Sequence, residues 1–182
     1  MPTATYEPIQ SFTTSAATST ITFSSIPSTY TDLEIVAVAK GANTGAGDYL
    51  KMRVGNGSVD TATNYSYQEL AAAAWTGSMS YGNEATKNFM YVHGYGNMLH
   101  GNNAAPLDAR AILFDYSNTS TNKRILMKAA GGRDGGSQDP VIEYMAHSWR
   151  STAAINTIQL YSDTNNWLAG STFTLYGIKA GS

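Results

Sequence analysis

The sequence predicts an all-β chain, an antiparallel jelly-roll β-sandwich of about 8–10 strands with little helix, and three observations carry that expectation. Apolar residues recur with period two in one segment after another, each segment is bounded by Gly, Asn, Ser or Pro, and no segment sustains a helical period. Segments of this kind bury one face of a sheet and leave the other to hydroxyls and amides.

The first such segment, STITFSSIP at 19–27, sets Ile21 and Phe23 against Thr20 and Thr22 and stops at Pro27. DLEIVAVAK at 32–40 places Leu33, Ile35, Ala37 and Ala39 on one face and runs into the glycine-rich loop GANTGAG. YLKMRV at 49–54 turns Leu50, Met52 and Val54 inward and Tyr49, Lys51 and Arg53 outward; the GNG that follows at 55–57 is the signal of a type I′ turn. NYSYQELAAAAW at 64–75 reads as a strand through Tyr67, while its alanine run fits either a strand or a short helix. NFMYVHGY (88–95), ARAILFDY (109–116), KRILMKAA (123–130), VIEYMAHSW (141–149) and INTIQLYS (155–162) continue the series. In the closing STFTLYGIKA, Phe173 and Leu175 face inward, and Gly177 marks a bulge or a close backbone approach. Long polar connections at 76–87, 96–108 and 131–140 fit a double-sheet jelly roll better than a small barrel.

A chain of 182 residues suits one domain. The sandwich is expected over 19–182, preceded by an extended arm over 1–18. In that arm Tyr6, Ile9 and Phe12 are the bulky side chains, and their spacing of three matches neither a strand nor a stable helix. They are the candidate contacts to a neighbouring subunit.

Charged residues make up 13% of the chain, about half the usual share, so the surface is built from Ser, Thr, Asn and Gly. Such a surface suits packing against protein or hydrogen bonding to sugars, because few charges must be desolvated. A net charge of −2 without a clustered basic patch argues against nucleic acid. No segment approaches the roughly 20 apolar residues of a membrane span, and the N-terminus has neither the basic region nor the apolar run of a signal peptide. With no cysteine, disulfides and thiolate metal sites are excluded.

Catalytic signatures are missing from the sequence. His93, His100 and His147 lack metal-ligand spacing, there is no nucleophile elbow, and Asp108, Asp115, Asp134, Asp139 and Glu143 are scattered over loops and strand ends. GGRDGGSQDP at 131–140 has neither EF-hand ligands nor a P-loop ending and reads as an exposed turn. No catalytic residue, metal or cofactor is expected. Aromatic rings remain as candidates: Trp75, Tyr81, Tyr95 and Trp167 are the glycan contacts to test, although Trp149 and Trp167 are better read as plugs of the sandwich.

Four segments, ITFSSIPSTYTDLEI (21–35), NYSY (64–67), INTIQLYS (155–162) and GSTFTLYGIKA (170–180), resemble tailed-bacteriophage virion proteins, the decoration and fibre-type jelly rolls. The chain departs from them over 54–75, where those proteins have a tighter turn and a more glycine-rich continuation. The resemblance implies a non-enzymatic virion component on the particle exterior. With no stalk upstream, it implies a capsid decoration (cement) protein that forms a homo-oligomer, a trimer, and clamps major capsid protein. The alternative is a receptor-binding or carbohydrate-binding module on a tail or head fibre.

Overall fold

The computed structural model describes residues 5–42, 44, 48–74, 77–95, 99–101, 106–132 and 140–179. These form thirteen strands in chain order: β1 (Tyr6–Thr13), β2 (Thr20–Phe23), β3 (Asp32–Ala39), β4 (Leu50–Asn56), β5 (Ser58–Val59), β6 (Tyr65–Ala73), β7 (Ser78–Lys87), β8 (Met90–His93), β9 (Leu107–Phe114), β10 (Lys123–Gly132), β11 (Pro140–Trp149), β12 (Thr157–Ser162) and β13 (Thr172–Ile178). All pairings are antiparallel. One sheet has eight strands in the order β1-β13-β3-β9-β10-β11-β6-β7; the other has β2-β12-β4-β5, with β8 also paired to β4. The chain passes repeatedly from one sheet to the other, as a jelly-roll sandwich requires.

The expected inward residues are inward. Phe23, Leu33, Ile35, Leu50, Met52, Val54, Phe173 and Leu175 are all fully buried between the sheets, where their alternation placed them. The alanine run of 71–73 belongs to β6 and not to a helix, because Ala71 and Ala73 continue the inward phase against β11. Lys51 keeps the outward phase, opposite Tyr161, but is covered and not exposed: its ammonium lies 4.1 Å from the Phe89 ring centre and 2.5 Å from Asp163, so it is buried with its charge matched.

Four further corrections concern edges and turns. Residues 6–13 are not a free arm but a strand of the sandwich, in register with β13 from Tyr6 opposite Ile178 to Thr13 opposite Thr172. The connection read at 76–87 is mostly β7, the edge strand beside β6. The turn after β4 is not type I′: Asn56 pairs with Ser58, and Gly57 alone takes a positive φ, of 78°. The exposed turn expected at 131–140 is partly β10 and β11, and its centre, 133–139, falls outside the described residues.

Gly177 is a close approach. A Cβ there would stand 2.4 Å from the Tyr30 ring, whose hydroxyl is tied to Glu7 at 3.0 Å and so cannot swing away freely. Gly177→Val is expected to lower the melting temperature by several degrees through overpacking. Thermal denaturation of the variant beside Gly177→Ala checks this, with the smaller residue giving the smaller loss.

Candidate binding face

The outer face of the eight-stranded sheet follows from register. Leu70 on β6 lies opposite Tyr81 on β7 and Tyr144 on β11; Ala72 lies opposite Met79 and Ile142. These two rows form a continuous apolar band across three strands, with exposures of 81% for Tyr81, 69% for Met79, 53% for Tyr144, 51% for Ile142 and 50% for Leu70. Scattered exposed apolar residues need no explanation, but a contiguous band of five does.

The same rows continue inward along the sheet. Tyr144 is followed by Lys128, Arg110 and Val36, and Ile142 by Ala130, Asp108 and Val38. Together they line an open recess of about 330 Å³ with an apolar floor and a charged rim. Arg110 is committed to Glu34 at 3.0 Å, and Glu34 also accepts a hydrogen bond from Tyr6 at 2.8 Å. Burial and that acidic partner push the Tyr6 phenol well above its ordinary range. Lys128 and Asp108 form no ion pair among the described residues.

The opposite, inner face at this end of the sheet is unusually polar. Glu143 on β11 is fully buried and accepts the Gly94 backbone N–H at 3.0 and 3.1 Å on its two oxygens. His93 on β8 brings Nδ1 to 3.4 Å from Glu143 Oε2 and contacts the Asp48 carbonyl through Nε2 at 3.1 Å. Glu69 on β6 completes the cluster; burial, and then the neighbouring Glu143, raise its pKa to about 7. His147, buried beside the Tyr67 ring at 5.6 Å, is held neutral, its pKa pushed down to about 3 by burial. The scattered carboxylates and histidines of the sequence are thus partly gathered, but in the interior. Among the described residues, no three His, Asp or Glu side chains are placed to hold a metal ion. The signal was present in VIEYMAHSW: Glu143 and His147 occupy inward positions in phase with Val141, Met145 and Trp149.

A second recess, of about 560 Å³, lies beside Ser162, Asp163, Thr164 and Asn165. Its acidic lining residue, Asp163, and Asp48 behind it are already engaged. Asp48 accepts from the Ser162 hydroxyl at 2.5 Å and from the Thr164 and Asn165 backbone, and Asp163 pairs with Lys51.

The four aromatic candidates are not brought together. Tyr81 stands on the outer face. Tyr95 lies on the inner side, packed against the core and accepting a hydrogen bond from Ser80 at 3.2 Å. Trp167 is fully buried against Phe173, ring centres 4.5 Å apart, so it plugs the sandwich and cannot stack on a sugar. Trp75 lies outside the described residues. Tyr144, Leu70 and Lys128, which flank Tyr81 or share its row, were not singled out by the sequence.

No protein-family model matches the chain, and no curated protein matches it. Among solved structures, the CBM40 of the Ruminococcus gnavus IT-sialidase, bound to alpha2,6 sialyllactose, aligns over 95% of this chain and 95% of its own at 9% identity, with a TM-score of 0.38. No functional residue is carried over from so loose a likeness.

Proposed function

We propose that the chain is a non-enzymatic virion component of the tailed-phage type, which docks on another protein, the major capsid protein, through the outer face of its eight-stranded sheet. The observation that carries the docking role is the band of Met79, Tyr81, Leu70, Ile142 and Tyr144. Apolar surface laid contiguously over three strands is stabilised when another surface covers it, and the low charge of the chain keeps the accompanying desolvation small. The phage-like segments lie in β2, β3, the start of β6, β12 and β13, which build the framework; the band comes chiefly from β7 and β11, outside those segments. A shared framework with an individual face fits a family of docking proteins that sit on different particles.

Capsids stripped of the protein are expected to lose resistance to heat or low salt and to regain it on adding back the wild type, but not on adding back Leu70→Lys/Tyr144→Lys. Particle stability and protein content that stay unchanged without the chain would rule the reading out.

A second reading rests on the recess beside Tyr144, whose apolar floor and rim of Lys128, Arg110 and Asp108 are of a size and chemistry suited to a sugar. Saturable binding on an array of host-surface glycans, lost in Tyr144→Ala, supports it. No binding on the array leaves protein docking as the account.

A further inference from the structure

We infer that β7 is a seam along which two copies of this chain join edge to edge, extending the eight-stranded sheet into one continuous sheet across a two-fold axis. The inference concerns self-association and does not need the capsid, although it adds to the docking reading by doubling the face that docks.

An edge strand presents a row of backbone N–H and C=O groups that can template another strand, and proteins guard such edges with proline, bulges, charge or shortness. The other edges here carry such guards. β1 contains Pro8, its register breaks between Pro8 and Gln10, and Glu7 and Gln10 are tied to Tyr30 and Ser24. In the smaller sheet the edge strands β2, β5 and β8 have four, two and four residues. β7 has ten residues and no proline, and it stands at the end of the sheet with β6 on one side. Its only charges are Glu84 and Lys87, which neutralise each other at 2.7 Å and sit at its C-terminal end.

The ladder to β6 is regular from Ser78 to Glu84 and breaks only after Glu84, where Tyr65 pairs with Lys87 and Tyr67 with Glu84. The midpoint of that regular run is Tyr81. A two-fold through Tyr81, perpendicular to the sheet, pairs the run with itself in antiparallel sense and uses all of it: Met79 faces the partner's Asn83, and Glu84 faces the partner's Ser78. Opposite residues then share a face, and no charge meets its like. A parallel arrangement would set Glu84 against Glu84.

Met79 and Tyr81 are the two most exposed large apolar side chains among the described residues, and they stand at the margin of the sheet, where only the band behind them gives any cover. The two-fold sets the two Tyr81 rings side by side and brings both apolar bands into one, on the same side of the joined sheets. A second copy of the chain is therefore the occupant that completes this margin. Because the contact is isologous, one partner uses it up, and the unit is a dimer and not a ring of three.

The chain has no cysteine, so a single introduced one reports the seam without interference. Directly opposite Cα atoms in an antiparallel pair are about 4.5–5.5 Å apart, within the roughly 4.4–6.8 Å that a disulfide spans. Under mild oxidation Tyr81→Cys is expected to become a covalent dimer far more completely than Thr119→Cys in the exposed loop after β9. Sedimentation of the wild type is expected to give twice 19.4 kDa, and Tyr81→Lys, with two ammonium groups on the axis, half of that with an unchanged far-ultraviolet spectrum. A wild type that stays monomeric at high concentration, cross-linking no greater than in Thr119→Cys, or a Tyr81→Lys dimer would each overturn the seam. Monomeric wild type that still attaches to particles removes the seam and keeps the docking role; a dimer that attaches to nothing does the reverse.

Discussion

Deletion of residues 2–14 destabilises the sandwich by about 3 kcal/mol or more, since it takes away an edge strand whose side chains close buried polar groups as well as apolar ones. Tyr6 stacks on Tyr176 with ring centres 4.5 Å apart, and Phe12 leans on Phe23 at 5.3 Å. Ile9 packs against the core from the partly buried side of the strand. The polar losses are as important. Thr14 is buried, donates its hydroxyl to the Leu168 carbonyl at 2.7 Å and accepts the Ser171 N–H at 3.0 Å, so its removal leaves groups at the entry to β13 without partners. Glu34 loses the Tyr6 hydroxyl, and Tyr30 and Lys179 lose Glu7. β13 then becomes an open edge seven residues long. Urea denaturation of the truncated chain should show a lower midpoint, and light scattering should show aggregation. A truncated chain that melts like its parent would mean that β1 is an arm that merely lies on the sheet.

The strands with one continuously buried face were legible in the sequence because burial of a single face imposes the period of two. β2, β3, β9, β10, β11, β12 and β13 all fall where alternation placed them. The strands that escaped notice lie at edges. In β1 one extra residue, Ile9, at the break between Pro8 and Gln10 reverses the phase of the alternation: Tyr6 stacks on Tyr176 on the outer side, while Phe12 lies opposite the inward Phe173, so no single period of two runs through the strand. In β7 the bulky residues Met79 and Tyr81 point outward while Ser80 and Gly82 point inward, so the strand reads as a polar connection. The apolar band was illegible for a different reason. Leu70, Tyr81 and Tyr144 are brought together only by the β6–β7 and β6–β11 registers, and nothing in any one strand specifies its neighbour's phase.

Stability is expected to fall by about 2 kcal/mol between pH 5 and pH 8 through Glu69 alone, somewhat less than the full shift would give for a wholly buried group. The groups around it are Glu143 from β11, His93 from β8 and Tyr67 on its own strand, and burial followed by the Glu143 charge raises its pKa to about 7. Below about 4.5 the carboxyl is protonated in both the folded and the unfolded chain, and its burial carries no ionisation penalty. Between that value and about 7 the unfolded chain releases the proton while the folded chain keeps it, so each step up in pH favours unfolding; above 7 the loss is complete. Asp48 and Asp60 act in the opposite direction at the acid end. Burial pushes both up, but the hydrogen bonds from Ser162 and the Tyr49, Thr164 and Asn165 backbone to Asp48, and from Asn64, Trp149 and the Ala62 backbone to Asp60, outweigh it and hold both below their ordinary value. Their contribution is present above about pH 4 and is lost as the pH falls through their lowered pKa values. His147, whose folded pKa of about 3 lies below the ordinary 6.5, likewise adds stability that is lost as the pH falls below about 6.5, so it opposes Glu69 there and the stability maximum falls between about pH 5 and 7. Glu69→Gln keeps a donor toward Glu143 but cannot ionise, so it should match the wild type at pH 5 and exceed it by about 2 kcal/mol at pH 8. Urea denaturation of both proteins at pH 5, 6, 7 and 8 measures the difference, and parallel curves for the two would assign the pH dependence to another group and leave Glu69 as an ordinary solvated carboxylate.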